Sequence, residues 1–229
     1  MSDDCCTTGL RDISHFEAAV RRFRTEFYQN NPDLMHQLST QGQAPATLII
    51  ACSDSRVDTG VLLQAHPGEL FTVRNVANLV PPYRPGASLP GTGAAIEYAV
   101  RDLKVDHIIV LGHAQCGGIK AMLATAGGQP PERDFIGDWV SMALDATELY
   151  VHGDEPGQRK KVSLDLLKEN CGLVERAAVT GSLHNLMTYP WLKERVDAGT
   201  LALHGWWFDL ETGDLWKTEP GETILMPVV

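Results

Sequence analysis

Two short and almost wholly apolar segments constrain the fold of this chain more than any other feature. Residues 47–51 read Thr-Leu-Ile-Ile-Ala and residues 107–111 read His-Ile-Ile-Val-Leu. Each has the length and the β-forming residues of a strand, and helical patterns lie between and after them. A strand that is apolar on both faces is typical of a parallel sheet covered by helices. The pattern therefore predicts an α/β fold with a mostly parallel central sheet flanked by helices.

The other predicted elements fit this architecture. Apolar residues at helical spacing predict an N-terminal amphipathic helix over 14–30, with a capping box formed by Ser14 and Glu17. The Glu-Thr-Gly-Asp turn at 211–214 predicts a C-terminal edge strand or hairpin. Further strands are predicted at 70–73 and 200–209, and further helices at 94–104, 117–125, 132–149, 162–187 and from Pro190.

The sequence contains no convincing linker, internal repeat or low-complexity segment. At 229 residues, of which 44% are hydrophobic, the chain can bury a full core. We therefore expect a single domain over 1–229. Its N-terminal helical arm is predicted at 1–35, and the segments that carry its chemistry lie within 43–123.

The charge and the apolar pattern exclude several classes of function. A formal net charge of −10 disfavours nucleic acid and anionic membrane surfaces as partners. No apolar run approaches the roughly 20 residues that a membrane span needs. The acidic start of the sequence lacks the pattern of a secretory signal. We expect a soluble, cytoplasmic protein.

The five cysteines fall into different classes. Cys5 and Cys6 belong to the polar N-terminal segment and are interpreted as inert thiols, and Cys171 as a small buried residue of a helix. A reducing cytoplasm disfavours disulfides, so the remaining cysteines are better candidates for metal binding. Cys52 and Cys116 stand apart because each lies in a polar motif that follows an apolar strand.

Two motifs carry the chemistry. Cys-Ser-Asp-Ser-Arg at 52–56 follows the strand at 47–51, and His-Ala-Gln-Cys-Gly-Gly at 113–118 follows the strand at 107–112. In open α/β sheets, ligands bind in the crevice beyond the carboxyl ends of the strands. Loops that follow neighbouring strands can therefore converge, and we expect these two motifs to meet.

Within these motifs, Cys52, His113 and Cys116 offer two thiolates and one imidazole, a set of ligands that suits Zn²⁺. Three protein ligands with a fourth position open to water are typical of a catalytic zinc site, whereas a structural site has four. A closed structural site, with Asp54 or Cys171 as the fourth ligand, remains an alternative.

Asp54 has a second candidate partner in Arg56. A bidentate pair would hold Asp54 ionised, so that it could accept a hydrogen bond from zinc-bound water. A surface salt bridge of little consequence is the alternative. Gly117 and Gly118, at the start of a predicted helix, expose backbone N–H groups that favour an anion.

These motifs and several neighbouring blocks resemble the β-carbonic anhydrase family, and specifically its plant-type branch. The resemblance spans residues 43–123 and extends more loosely to Gly-Trp-Trp-Phe-Asp at 205–209. The blocks that match in order and spacing are Ala51–Val57, Pro67–Phe71, Arg74–Asn78, Gly91–Tyr98 and Gly112–Lys120.

The resemblance implies a zinc enzyme that hydrates CO2 reversibly to bicarbonate and a proton by means of a zinc-bound hydroxide. It implies Cys52, His113 and Cys116 as the zinc ligands. It also implies Asp54 and Arg56 as the catalytic dyad. Hydrolysis of COS or CS2 on the same zinc site is the alternative activity.

For the substrate pocket, the resemblance implies Gln43, Phe71 and Tyr98 as lining residues, with Gln43 bonding a substrate oxygen. Gly117 is expected to bind substrate through its backbone N–H. In the family, pocket residues come from a neighbouring subunit, which implies a homodimer or a dimer-based tetramer or octamer.

Two positions depart from patterns within the family. Ile49 stands where one bacterial branch has the tryptophan of a closed, bicarbonate-inhibited state, so we expect an open, constitutively active arrangement. Asp102 stands where the plant branch has a histidine suspected of shuttling protons, so no proton shuttle is assigned.

Overall fold

The structure is a computed structural model that describes residues 12–86, 90–150, 163–219, 222 and 224–228, with 145–150 described by backbone alone. Cys5 and Cys6 lie outside the described residues, so the prediction for them stays untested. The chain divides into two compact units, Met1–Gln43 and Ala44–Val229.

The N-terminal unit is helical, as its apolar spacing predicts. The capping box is wrong: the backbone N–H and the hydroxyl of Ser14 donate to the carboxylate of Asp12, at 2.9 and 2.7 Å, and Ile13 occupies the cap position. A helix that begins at Pro32 was not predicted, because its sequence has no clear apolar stripe. The helical elements are α1 Ser14–Arg24, a π-helical segment Thr25–Asn30 and α2 Pro32–Gln41.

A six-stranded mixed sheet forms the centre of the second unit within the described residues. Its order is β2-β1-β3-β4-β5-β6, and the first four strands in this order are parallel. β5 and β6 are antiparallel to their neighbours, so the predicted C-terminal hairpin is confirmed and a further strand lies beyond it. The strands are β1 Thr47–Cys52, β2 Leu70–Asn75, β3 His107–His113, β4 Ala202–Phe208, β5 Leu215–Thr218 and β6 Leu225–Pro227.

Helices connect the parallel strands, which confirms the α/β class. The predicted continuous helix over 162–187 is wrong in one respect: Asn170, at φ −120° and ψ 49°, separates two helices. The helices of this unit are α3 Thr59–Leu63, α4 Gly91–Glu97, α5 Gly117–Ala126, α6 Ile136–Tyr150, α7 Leu164–Glu169, α8 Cys171–Leu186 and α9 Pro190–Asp197. A 3₁₀ turn, Val76–Asn78, follows β2, and a π-helical segment, Tyr98–Asp102, continues α4.

The two central strands are buried on both faces, which explains their apolar sequences. One set of side chains belongs to a core cluster on one face of the sheet: Leu48, Ile50, Ile108 and Val110. The alternate set belongs to a cluster on the opposite face: Ile49, Ala51, Ile109 and Leu111. This packing fixes the positions at which β1 and β3 end, and therefore the positions of the side chains that follow.

None of the helices in the described ranges combines the length and the apolar character needed to cross a membrane.

Candidate metal centre

The two sequence motifs meet at one edge of the sheet. Cys52 is the last residue of β1 and His113 is the last residue of β3. These strands are parallel neighbours, with Ala51 opposite Leu111. Cys116 follows the end of β3 as the cap residue of α5. The convergence expected from the sequence is therefore present in the structure.

Cys52, His113 and Cys116 form a buried cluster. Their candidate ligand atoms lie within 4.8 Å of one another, and the two Sγ atoms are 4.0 Å apart. Nδ1 of His113 donates to the carbonyl oxygen of Ala114 at 2.8 Å, which fixes the ring and leaves the lone pair on Nε2. This arrangement is typical of a metal-binding histidine.

The chemistry of the cluster fits a metal ion. Among the described residues, Nε2 of His113 is a buried nitrogen without a hydrogen-bond partner. A buried polar atom without a partner is costly, so its presence indicates a ligand. Two thiols and one imidazole nitrogen within reach of one another suit Zn²⁺ and leave a fourth position open.

Of the two thiol groups, that of Cys52 is the one favoured as a thiolate. The hydrogen bond from the Cys116 thiol is the largest cause that lowers the pKa of Cys52, and burial opposes it. The pKa of Cys116 is raised, first by that same hydrogen bond and then by burial. Because the thiolate is the form that binds metal, the cluster favours one thiolate even without an ion.

Asp54 is held by Arg56 beside this cluster. Nε and Nη2 of Arg56 donate to the two carboxylate oxygens at 2.9 and 2.7 Å, and the Arg56 backbone N–H donates at 3.0 Å. These hydrogen bonds are the main reason that the pKa of Asp54 lies well below its usual range. Oδ2 of Asp54 is 3.9 Å from Nε2 of His113. The Asp54–Arg56 pair therefore lies at the edge of the cluster, and its catalytic role stays a prediction.

The carbonic anhydrase family model matches residues 47–215 of this chain. The chain is also 36% identical over 214 residues to "Beta carbonic anhydrase 3" of Arabidopsis thaliana, covering 92% of this chain and 79% of that protein. The chain belongs to the β-carbonic anhydrase family. The resemblance inferred from the sequence is thereby confirmed.

Solved structures of β-carbonic anhydrases have the same fold. The β-carbonic anhydrase CcaA is 32% identical with a TM-score of 0.74, over 95% of this chain and 92% of that one. One of two tetrameric β-carbonic anhydrases from Sordaria macrospora is 27% identical with a TM-score of 0.70, over 89% and 95% of the two chains. β-Carbonic anhydrases are zinc enzymes, and this chain carries the Cys-His-Cys cluster that could hold the metal.

Ala77 contributes to the β-carbonic anhydrase site in a way that its sequence does not reveal. Its backbone N–H donates to Sγ of Cys52 at 3.4 Å, and its φ is 65°. A left-handed conformation at a non-glycine residue costs about 1–3 kcal/mol, and it is typical of functional sites. Gly118 permits this approach, since a Cβ there would lie 2.8 Å from Cβ of Ala77.

Two further charged residues were missed because their roles depend on contacts across the fold. Arg74 donates to the carbonyl oxygens of Cys52 and Asp54, at 2.9 and 2.6 Å, and so holds the loop after β1. Glu175 is 3% exposed and accepts a hydrogen bond from the backbone N–H of Cys116 at 3.0 Å. Burial raises the pKa of Glu175. The one available sequence signal for Glu175 was an acidic residue on the apolar face of a helix.

The residues implied for the substrate pocket do not all converge on the cluster. Phe71 and Tyr98 contact each other, with ring centroids 5.8 Å apart. Phe71 pairs with Leu48, four residues before Cys52, which is about 13 Å along the strand. Gly117 is the first residue of α5. Gln43 belongs to the N-terminal unit, so its role stays a prediction.

An apolar groove of about 750 Å³ opens beside the end of β2. Its lining includes Val76, Phe135, Trp139 and Met142. The indole N–H of Trp139 donates to the carbonyl oxygen of Val76 at 2.7 Å, which holds this wall against the 3₁₀ turn. The lining is mostly apolar, and the carboxylic residues Asp134 and Asp138 also border it.

Proposed function

We propose that this chain catalyses the reversible hydration of CO2 to bicarbonate and a proton, with zinc held by Cys52, His113 and Cys116. The observation that carries the proposal is the buried cluster, in which Nε2 of His113 has no hydrogen-bond partner among the described residues. Three ligands leave a fourth position for water, which favours a catalytic site over a structural one.

Zinc, when bound, supplies a Lewis acid that lowers the pKa of a water molecule towards neutrality. Asp54 would then accept a hydrogen bond from the reacting water and orient it towards CO2. Because Arg56 holds the pKa of Asp54 low, the carboxylate stays ionised. It therefore acts by orientation and not as the final proton acceptor, and the proton passes to solvent or buffer.

Gly117 would offer its backbone N–H to an oxygen of the substrate or of bicarbonate at the start of α5. Gln43, Phe71 and Tyr98 would line the pocket in which CO2 binds. Phe71 lies about 13 Å along β2 from Asn75, the residue opposite Cys52. We therefore propose that Gln43, Phe71 and Tyr98 line the pocket of a neighbouring subunit. The apolar groove beside β2 is compatible with an uncharged substrate.

We propose a homodimer or a dimer-based tetramer or octamer. Helix α1 and its cap residue expose an apolar stripe, with Ile13, Phe16 and Val20 at 68%, 60% and 66% exposure. A stripe of this kind is typical of a surface that another chain covers. The relatives from Sordaria macrospora are tetrameric. In this proposal residues 1–229 act as one domain, and the arm at 1–35 contacts the partner.

We propose the cytoplasm as the site of action. The Sγ atoms of Cys52 and Cys116 are 4.0 Å apart, close enough for oxidation to compete with metal binding. A reducing compartment keeps both thiols available as ligands.

The test is stopped-flow CO2 hydration by zinc-loaded protein at alkaline pH, with Cys52→Ala measured beside it. We expect fast hydration that the substitution abolishes. If the protein binds one zinc ion per chain and hydrates no CO2, sulfide release from COS and CS2 is measured on the same sample. Sulfide release would favour the alternative activity, and its absence would favour a closed structural zinc site.

A further inference from the structure

Glu175 is the one acidic side chain among the buried residues of the described part of the chain. It projects from α8, and its neighbours Val174 and Ala178 are core residues. Its Oε1 accepts from the backbone N–H of Cys116 at 3.0 Å, and its Oε2 accepts from the indole N–H of Trp207 at 3.3 Å. Both carboxylate oxygens are therefore engaged.

A carboxylate in this position is costly. Among the described residues it has no ion pair within 4.0 Å, although the charge of Arg176 acts on it from further away. The guanidinium of Arg176, the next residue, lies instead 4.7 Å from the ring centroids of Trp207 and Trp216. An apolar side chain would fill this face of α8 without the cost of desolvation. The carboxylate adds the hydrogen bonds to Cys116 and Trp207, and the first of these lies in the metal-binding loop.

That contact lies at the turn which directs the Cys116 thiol. Gln115, immediately before it, has a left-handed φ of 59°, and Cys116 has φ −66° and ψ 119°. The N–H of Cys116 therefore stands outside the helical hydrogen-bond pattern of α5 and needs a separate acceptor. A charge-assisted bond from a carboxylate is a strong way to supply one. It fixes the turn with the two Sγ atoms 4.0 Å apart.

We propose that Glu175 is a positioning residue of the zinc site: by accepting from the Cys116 backbone N–H, it fixes the direction in which the Cys116 thiolate meets the metal. The inference rests on the proposed assignment of Cys116 as a ligand. Residues that orient metal ligands typically contribute 10–100-fold to metal affinity or activity. Glu175 acts through Cys116 and is not itself expected to touch zinc or substrate.

The test compares three variants of the full chain. Glu175→Leu removes both acceptors at similar volume. Glu175→Gln keeps the length of the side chain but replaces one acceptor with an NH2 group and removes the charge. Trp207→Phe is the matched control, since it deletes the indole donor and leaves the bond to Cys116.

Zinc affinity is measured by competition with a chelator, and the Co²⁺-loaded proteins are compared by their thiolate charge-transfer and d–d absorption bands. We expect Glu175→Leu to weaken zinc binding by about 10–100-fold and to change the Co²⁺ spectrum. Glu175→Gln should weaken binding by a smaller factor in the same direction. Trp207→Phe should keep the wild-type affinity and spectrum.

Unfolding of the zinc-free proteins separates positioning from simple stabilisation. Variants that lose stability without zinc but keep the wild-type affinity and spectrum would overturn the proposal. If Glu175→Leu does not fold, an unchanged affinity and spectrum in Glu175→Gln would overturn it equally. A wild-type protein that binds no zinc would instead overturn the proposed function, so the two failures are distinguishable.

Discussion

Arg56 binds both carboxylate oxygens of Asp54, with Nε 2.9 Å from Oδ1 and Nη2 2.7 Å from Oδ2. The same Nη2 donates to the carbonyl oxygen of Gln115 at 3.3 Å. Arg56 therefore connects the loop after β1 with the loop after β3. Its planar group fixes the direction of Asp54 in a way that a flexible ammonium group would not. The pair therefore makes Asp54 a hydrogen-bond acceptor of fixed direction beside the cluster of Cys52, His113 and Cys116.

Asp54→Asn is expected to reduce the rate of CO2 hydration by about 100-fold or more, because it removes an oriented anionic acceptor. Zinc content should match that of the wild type, since Asp54 is not proposed as a ligand. Stopped-flow kinetics and atomic absorption measure the two quantities. Loss of zinc together with activity would contradict the assignment and favour Asp54 as a fourth ligand.

Arg56→Lys should lower the hydration rate as well, because one ammonium group cannot replace the bidentate contact. Arg101→Lys is the matched control. Arg101 pairs with Glu97 at 2.7 Å on an exposed helical surface, where such pairs contribute little. Equal rates for Arg56→Lys and Arg101→Lys would show that the geometry of the Asp54–Arg56 pair has no role in the reaction.

Cys116→Ala is expected to lose zinc, and with it the stabilisation that metal binding gives to the folded state. Addition of a chelator should lower the thermal midpoint of the wild type but leave that of the variant unchanged. Cys171→Ala is the control, since the Cys171 thiol donates to the carbonyl oxygen of Lys168 and lies outside the cluster. A Cys116→Ala protein with a full complement of zinc would exclude Cys116 as a ligand.

The cluster could be predicted from the sequence because its geometry depends on strand ends. The apolar runs of β1 and β3 indicate buried parallel neighbours, and Cys52 and His113 are the last residues of those strands. Parallel strands bring their carboxyl ends to one edge whatever the details of helix packing. That Cys52 and His113 lie close together could therefore be predicted without knowledge of the helices.

The roles of Glu175 and Ala77 could not be predicted from the sequence, because they depend on how distant parts of the chain pack together. The bond between Glu175 and Cys116 spans 59 positions and depends on how α8 packs on the sheet. The left-handed conformation of Ala77 has no signature in residue type, because alanine rarely adopts it. Local pattern predicts elements and their ends, whereas these features belong to tertiary packing.

Gly118→Ala is expected to destabilise the protein by about 1–3 kcal/mol, the usual cost of overpacking a tight contact. Its Cβ would lie 2.7 Å from Cγ1 of Val76 and 2.8 Å from Cβ of Ala77. The second contact can be relieved only by a backbone shift, which would move the Ala77 N–H relative to Cys52. Urea unfolding measures the loss of stability, and zinc affinity should fall with it.

Gly137→Ala is the control for that substitution. A Cβ at this helical position would meet nothing within 4 Å. Replacement of a helical glycine by alanine at an open position stabilises by up to about 1 kcal/mol. If Gly118→Ala were as stable as Gly137→Ala, the close approach of the 3₁₀ turn to α5 would not require glycine at position 118.

The rate of CO2 hydration is expected to rise towards alkaline pH. Two thiolates cancel the formal charge of Zn²⁺, so the metal lowers the pKa of the reacting water less than it would with three neutral histidines. A pH–rate profile from about pH 6 to about pH 9 measures this. A profile that stays flat down to about pH 6 would contradict the proposed ligand set.

Nε2 of His204, on β4, lies 3.2 Å from Nδ1 of His107, at the start of β3. The pKa of His204 is lowered, mainly by burial and then by the charges of His107 and Lys217. The folded state therefore favours neutral His204, whereas the unfolded chain takes up a proton near pH 6.5, roughly the pKa of a free histidine.

Because the unfolded state binds more protons in this window, the free energy of unfolding should fall as the pH drops below about 6.5 towards the folded pKa. Urea unfolding at about pH 7.5 and about pH 5.5 gives the loss for each protein. The wild type should lose the most free energy of unfolding between the two pH values. Lys217→Gln should lose less, because a positive charge that disfavours protonation of His204 is gone. His204→Gln should lose the least. Since the three proteins differ only at positions 204 and 217, the differences between them report on His204 and its neighbour Lys217. An equal loss in wild type and His204→Gln would show that this histidine does not govern the acid sensitivity of the fold.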